Sequence, residues 1–134
     1  MNAVGPLIVT QALASLLKVT KKSGRPHATV ANISARVGSI GDNGLGGWYS
    51  YRISKAAQNM ATRCMALELR RQGTNVVALH PGTVETDLSA PFKVSPVKLF
   101  DRPRAARQLL DVIDRLDDDD SGRFFDWAGA EIEW

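Results

Sequence analysis

The run Asn75-Val76-Val77-Ala78-Leu79-His80, closed by Pro81-Gly82, limits the fold more than any other stretch of the chain. Its apolar residues are continuous instead of alternating, which fits a strand covered on both faces, and Pro81 cannot carry the strand onward. The remaining segments supply the cover. From Pro6 to Lys18, Leu7, Ile8, Ala12, Leu13, Leu16 and Leu17 recur at three and four spacing, with Asn2 and Pro6 at the entry, and this predicts a helix. Lys18 to Pro26 reads as a basic, glycine-containing turn, Ala28 to Ile33 as a short strand, and Gly38 to Gly47 as a loop. A second helix is expected from about Ser50 to Gln72, with Ile53, Ala57, Met60, Cys64 and Leu67 in one stripe and Cys64 on the inner face. Gly73-Thr74 closes it. A helix from about Pro103 to Leu116, an acidic turn over Asp117 to Gly122 and a last strand over Arg123 to Asp126 complete an αβαβαβ order. That order argues for an α/β fold with a parallel sheet between helices. No repeat, low-complexity tract or linker divides residues 1–134, so one domain is expected.

Composition sets few further limits. With 134 residues, 44% hydrophobic and 23% charged, the chain is long enough for a core and is neither disordered nor fibrous in type. A formal charge of +3, with basic doublets only at Lys21-Lys22 and Arg70-Arg71 and no interleaved aromatics, argues against nucleic acid as a partner. The single Cys64 fits a reducing compartment. No apolar run is long enough to span a bilayer, and the first six residues lack the pattern of a secretory signal, so a cytoplasmic protein with no membrane partner is expected. His80 and the distant His27 make no ligand set, and Asp117 to Gly122 lacks the alternating ligands of a calcium loop, so no metal site is expected. Trp127 and Trp134 are expected to cover the sheet or border a pocket.

Within "WYSYRISKAA", Tyr51 and Lys55 stand four residues apart. On a helix that spacing puts both on one face, about 6 Å apart along the axis. An ammonium beside a phenol favours phenolate and is expected to draw the Tyr51 pKa downward, a device for acid catalysis. The competing structural account is an amphipathic edge with a lysine reaching for solvent.

Three segments together carry a resemblance. Tyr51-x-x-x-Lys55, preceded by a strand ending Asn32-Ile33-Ser34 and followed by one ending His80-Pro81-Gly82-Thr83-Val84-Glu85-Thr86, resembles the C-terminal half of a short-chain dehydrogenase/reductase. Asn2-Ala3-Val4-Gly5-Pro6 resembles the family's asparagine-bearing helix, and "GSIGDNGLGGWYSYRISKAA", "LHPGTVETDLS" and "FFDWAGAEIEW" are similar to its C-factor-like branch. The resemblance implies a partial Rossmann-like, doubly wound parallel sheet and hydride transfer between NAD or NADP and a small-molecule carbonyl or alcohol. It implies Tyr51 as the acid, Lys55 as its partner and as a ligand of the nicotinamide ribose, and Asn2 as holder of a relay water. It also implies Pro81, Gly82, Val84 and Thr86 as residues that orient the nicotinamide. Helix capping by Asn2 or Thr86, and a plain strand stop at Pro81-Gly82, are the structural alternatives.

Two departures accompany the match. The family's catalytic serine falls at Ala35, leaving Ser34, which strand alternation turns to the opposite side, and Ser39, in the glycine-rich loop at an unusual spacing, as candidate hydroxyls. Losing an oxyanion donor costs of order 3 kcal/mol in barrier, or two or more powers of ten in rate. The second departure is the absence of the family's opening strand and G-x-x-x-G-x-G turn, which receive the cofactor pyrophosphate. Without them the first strand is expected to show an unpaired edge. The implied protein is then either the catalytic half of an oxidoreductase, weak or inactive alone, or a non-catalytic dimerising or regulatory subunit, and in either case a homo-oligomer or a pairing with a family relative is expected.

Overall fold

The computed structural model describes residues 1–20, 26–87, 89 and 99–134. Helix α1 spans Val4–Leu17, strand β1 Ala28–Ile33, helix α2 Tyr49–Leu69 and strand β2 Thr74–His80. Short strands β3, Thr83–Val84, and β4, Leu99–Phe100, precede helix α3, Arg102–Ile113, and strand β5, Phe124–Asp126. The expected αβαβαβ order is present, and its boundaries shift by one to three residues. The turn expected over Lys18 to Pro26 lies largely outside the described residues.

The main sheet has the order β1-β2-β5 and is parallel throughout. Ala28 stands opposite Thr74 and Ile33 opposite Leu79, while Ala78 to His80 run opposite Phe124 to Asp126. Central strand β2 is covered on both faces, as its unbroken apolar run requires. Val77 and Leu79 pack with Val112, Leu116 and Phe125 on the α3 side. Val76 packs with Met65 and Ala66 of α2, and Ala78 with Phe124 and Ile132. Trp134 stacks on Phe124, with ring centroids 5.6 Å apart, and Trp127 meets Phe100 edge-on at 4.8 Å, so both tryptophans cover apolar rings.

Local chemistry sets the element ends. Gly73, at φ 75°, turns the chain out of the 3-10 turn Arg70–Gln72 that follows α2, a left-handed conformation that suits glycine. Asp101 accepts from the backbone N–H of Arg104 at 2.7 Å and caps α3, with Pro103 in its first turn. The acidic run closes on itself in a capping box between Asp117 and Asp120. Asn75 donates to the Asp117 carbonyl, which ties that turn to the start of β2.

The sidedness of α2 corrects one expectation. Its inner face carries Lys55, Gln58, Asn59, Thr62, Met65 and Ala66. Ile53 is 65% exposed, Met60 65% and Leu67 62%, and Cys64 lies on the surface as well. The apolar stripe therefore points outward, because the face turned to the end of β1 is held by side-chain hydrogen bonds instead of apolar contact. The expected apolar face of α1 is likewise largely exposed at Leu7, Ile8, Leu13 and Leu16.

Candidate active site

The loop before α2 delivers Tyr51 to the carboxyl ends of β1 and β2. Gly46, Gly47 and Trp48 are consecutive left-handed residues, at φ 65°, 69° and 48°. Arg52 holds them there: its Nε donates to the carbonyls of Gly46 and Gly47 at 3.1 and 3.0 Å, and Nη1 to that of Val37 at 3.1 Å. Gly38 lets the loop touch the helix, since a Cβ there would stand 2.6 Å from the Lys55 Cβ and 2.8 Å from its backbone carbon.

Tyr51 and Lys55 do share one face of α2, with Lys55 Nζ 6.0 Å from the centroid of the Tyr51 ring. Lys55 is buried, and its ammonium donates to the Ile33 carbonyl at 2.9 Å and to Gln58 Oε1 at 2.8 Å. It is not a lysine reaching for solvent. The expected depression of the phenol pKa is corrected: burial pushes Tyr51 above its ordinary value, and burial draws Lys55 below its own. The ammonium is engaged by two oxygens of its own and does not offset the desolvation of the phenol.

Asn2 does not cap α1, whose N-cap is Ala3. Its side-chain amide donates to Ser54 Oγ at 3.1 Å, and Ser54 in turn donates to the Tyr51 carbonyl at 2.8 Å, so Asn2 adjoins the helix turn between the two central residues. Both candidate serines have hydroxyl partners of their own. Ser34 is buried and donates to Asn59 Oδ1 at 2.5 Å, and Asn59 lies two turns, about 12 Å, beyond Tyr51 along α2. Ser39 is buried too, donating to the Glu133 carbonyl and accepting from the Asp42 N–H at 2.9 Å. Each hydroxyl joins two chain segments. Ala35, buried and extended between them, carries no hydroxyl.

Because β1 and β2 are parallel and in register, Ile33 and Leu79 end side by side, and the Ser34 N–H continues the ladder to the Leu79 carbonyl at 2.8 Å. His80-Pro81-Gly82 therefore leaves the sheet at the edge where Lys55 is anchored. Gly82, at φ 75°, approaches Phe100 so closely that a Cβ would meet the ring at 2.5 Å. Pro81-Gly82 is more than a strand stop, since the chain re-enters a two-stranded parallel sheet in which Thr83 and Val84 pair with Leu99 and Phe100. Thr86 donates its N–H to Ser89 Oγ at 2.9 Å, while its own hydroxyl makes only a 3.5 Å contact with the Val84 carbonyl. A crevice outside the carboxyl ends of parallel strands is where open α/β sheets bind ligands. Among the described residues no group of three His, Cys, Asp or Glu side chains could hold a metal ion, and no helix is long and apolar enough to cross a membrane.

Arg52, Gln58 and Gly38 belong to this site and were not singled out in the sequence. Gln58 stands three residues after Lys55, a spacing that places it beside the lysine on a helix. The other two act on a loop whose path no local pattern specifies.

The short chain dehydrogenase family matches residues 1–95. This match covers the Asn2 segment, the Tyr51–Lys55 helix and the turn at Pro81-Gly82. The chain belongs to the short-chain dehydrogenase/reductase family. Over all 134 residues it is 44% identical to C-signal of Myxococcus xanthus and spans 75% of that protein. Carbonyl reductase Sniffer of D. melanogaster superposes on 99% of this family member with a TM-score of 0.88 at 34% identity. An NADPH-bound carbonyl reductase from chicken fatty liver superposes with a TM-score of 0.85 at 36% identity. The chain spans 54% of each of these two reductases, so its fold is the corresponding part of a Rossmann-like short-chain dehydrogenase/reductase sheet.

Proposed function

We propose that residues 1–134 form a single partial domain, the catalytic part of an NAD(P)-dependent oxidoreductase that reduces a small-molecule carbonyl or oxidises the corresponding alcohol. The observation that carries this reading is the buried, doubly hydrogen-bonded Lys55 beside Tyr51 at the carboxyl end of the parallel sheet. The similarity to carbonyl reductases, one of them bound to NADPH, supports the substrate and cofactor classes.

The residues present fit the nicotinamide end of such a cofactor. An ammonium has three N–H donors, two of Lys55 are used within the chain, and the third is available for a ribose hydroxyl. In this reading the weakly engaged Thr86 hydroxyl would meet the carboxamide, with Pro81, Gly82 and Val84 shaping the approach. The sequence holds no G-x-x-x-G-x-G turn for the pyrophosphate. When bound, the nicotinamide supplies or accepts the hydride. Tyr51 gives its hydroxyl proton to the carbonyl oxygen as that oxygen gains charge, and Lys55 stabilises the phenolate left behind. Its high phenol pKa keeps Tyr51 protonated and ready to act as an acid in the reducing direction. Asn2, through Ser54, borders the path by which the proton is replaced.

A second reading has its own support. With Ala35 at the serine position, Ser34 and Ser39 otherwise engaged, and apolar residues exposed on α1 and α2, the chain also suits a non-catalytic subunit that dimerises with its own kind or with a relative. The lone Cys64, exposed and unpaired as a disulfide, supports a cytoplasmic location for either. The discriminating measurement is NADPH oxidation by the purified chain against a panel of small carbonyls. Turnover that falls about 10²- to 10⁴-fold in Tyr51→Phe is expected. Equal turnover in that variant would remove Tyr51 from the chemistry, and neither turnover nor nucleotide binding in the parent chain would favour the second reading.

A further inference from the structure

The inner face of α2 joins the end of β1 through a polar seam centred on Gln58, which takes no part in the reaction steps proposed above. Gln58 is buried, and both ends of its amide are used. Its Nε2 donates to the Ile33 carbonyl at 3.1 Å, and its Oε1 accepts from Lys55 Nζ at 2.8 Å. Lys55 Nζ donates to the same Ile33 carbonyl at 2.9 Å, which closes a ring of three groups. The amide has one workable orientation, because an ammonium offers only donors and a carbonyl only lone pairs. The backbone of Gln58 is held as well: Thr62 Oγ1 donates to its carbonyl at 2.9 Å while accepting from Asn32 Nδ2 of β1 at 2.9 Å.

Lys55 depends on this arrangement. Among the described residues no carboxylate forms an ion pair with it, and its only facing titratable group is Tyr51 on its own helix. From β1 it meets a backbone carbonyl, and from the loop it meets Gly38. Two neutral oxygens therefore carry a buried cation, and one of them belongs to Gln58.

We propose that Gln58 is a positioning residue, which holds Lys55 Nζ against the Ile33 carbonyl and so fixes where the ammonium stands relative to Tyr51. The inference rests on Tyr51 and Lys55 being the reaction centre, but it is tested without turnover. In the full chain labelled with ¹³C- and ¹⁵N-lysine, Lys55 is assigned by loss of its signal in Lys55→Met, and its titration is followed by NMR in the parent, Gln58→Met and Gln58→Glu. Losing a hydrogen bond made by the ammonium disfavours the charged form, so Gln58→Met is expected to lower the Lys55 midpoint by about one to two pH units. Gln58→Glu is expected to raise it by a similar amount, because a carboxylate favours the ammonium.

Midpoints in both variants that coincide with the parent's would overturn the proposal. If Gln58→Met does not fold, the Glu variant decides alone, since its carboxylate cannot stand beside Nζ without raising that midpoint. Tyr51→Phe separates the two levels of the claim. Unchanged turnover in that variant together with shifted Lys55 midpoints would sink the catalytic reading and leave the Gln58 contact standing.

Discussion

At Tyr51 burial raises the phenol pKa, and Lys55, already held by the Ile33 carbonyl and Gln58, does not offset it. Burial acts more strongly on His80, where nearby charges contribute as well. Burial first, then the Arg36 guanidinium, lower its pKa to about 4, against the weaker upward pull of Asp126 and Asp42. Arg36 reaches Asp42 at 3.2 Å and Asp126 at 3.6 Å, while His80 Nδ1 has no hydrogen-bond partner among the described residues. The unfolded chain, with His80 near its ordinary 6.5, then binds more protons than the folded chain between about 6.5 and about 4. Stability is full above that window and is lost as the pH falls through it, by at most roughly 3 kcal/mol from this group. Urea melts of the parent and His80→Gln across that range check the sign. The parent should lose more stability on acidification than the variant, and parallel losses would show that His80 does not carry the dependence.

Helix α2 is inverted with respect to ordinary amphipathicity where it faces the end of β1, polar inward and apolar toward solvent, while Met65 and Ala66 further along still pack on Val76. Its inward residues Lys55, Gln58, Asn59 and Thr62 each have a partner on β1, on Ser34 just after it or on α2, although Asn59 Nδ2 has none among the described residues. The outward residues Ile53, Met60 and Leu67 have no cover within the described residues, and α1 beside them exposes Leu7, Ile8 and Leu13. In the proposed homodimer a second copy of the same two helices would cover them, because a two-fold interface uses the same patch on both subunits. Sedimentation of the parent chain should then show a dimer, and Ile53→Glu with Met60→Glu should weaken it by at least about a hundredfold while leaving the circular dichroism unchanged. A monomeric parent at the same concentrations would remove the homodimer from the account.

For the whole molecule, the sheet decides where stability lies. Strand β2 is buried along nearly its whole length and paired on both sides, whereas β1, among the described residues, has a strand neighbour on one side only. Hydrogen exchange should follow this asymmetry, with β2 amides opening only on global unfolding and the outward amides of β1 exchanging at least about tenfold faster. Equal protection of the two strands would mean that the β1 edge is covered in solution. Much of this architecture was legible beforehand, because it depends on residues near one another in the chain. The unbroken run of Asn75 to His80 fixed a doubly covered strand, Pro81-Gly82 fixed its end, and the four-residue spacing of Tyr51 and Lys55 fixed their common face, each through the period of one element. Only the tertiary structure decided which face of α2 meets the sheet, that Ser34 and Ser39 are spent on Asn59 and Glu133, that Thr83–Val84 pairs with Leu99–Phe100, and that Gln58 shares a carbonyl with Lys55. Those outcomes join segments distant in sequence, and helical or strand period says that side chains share a side without saying what stands opposite.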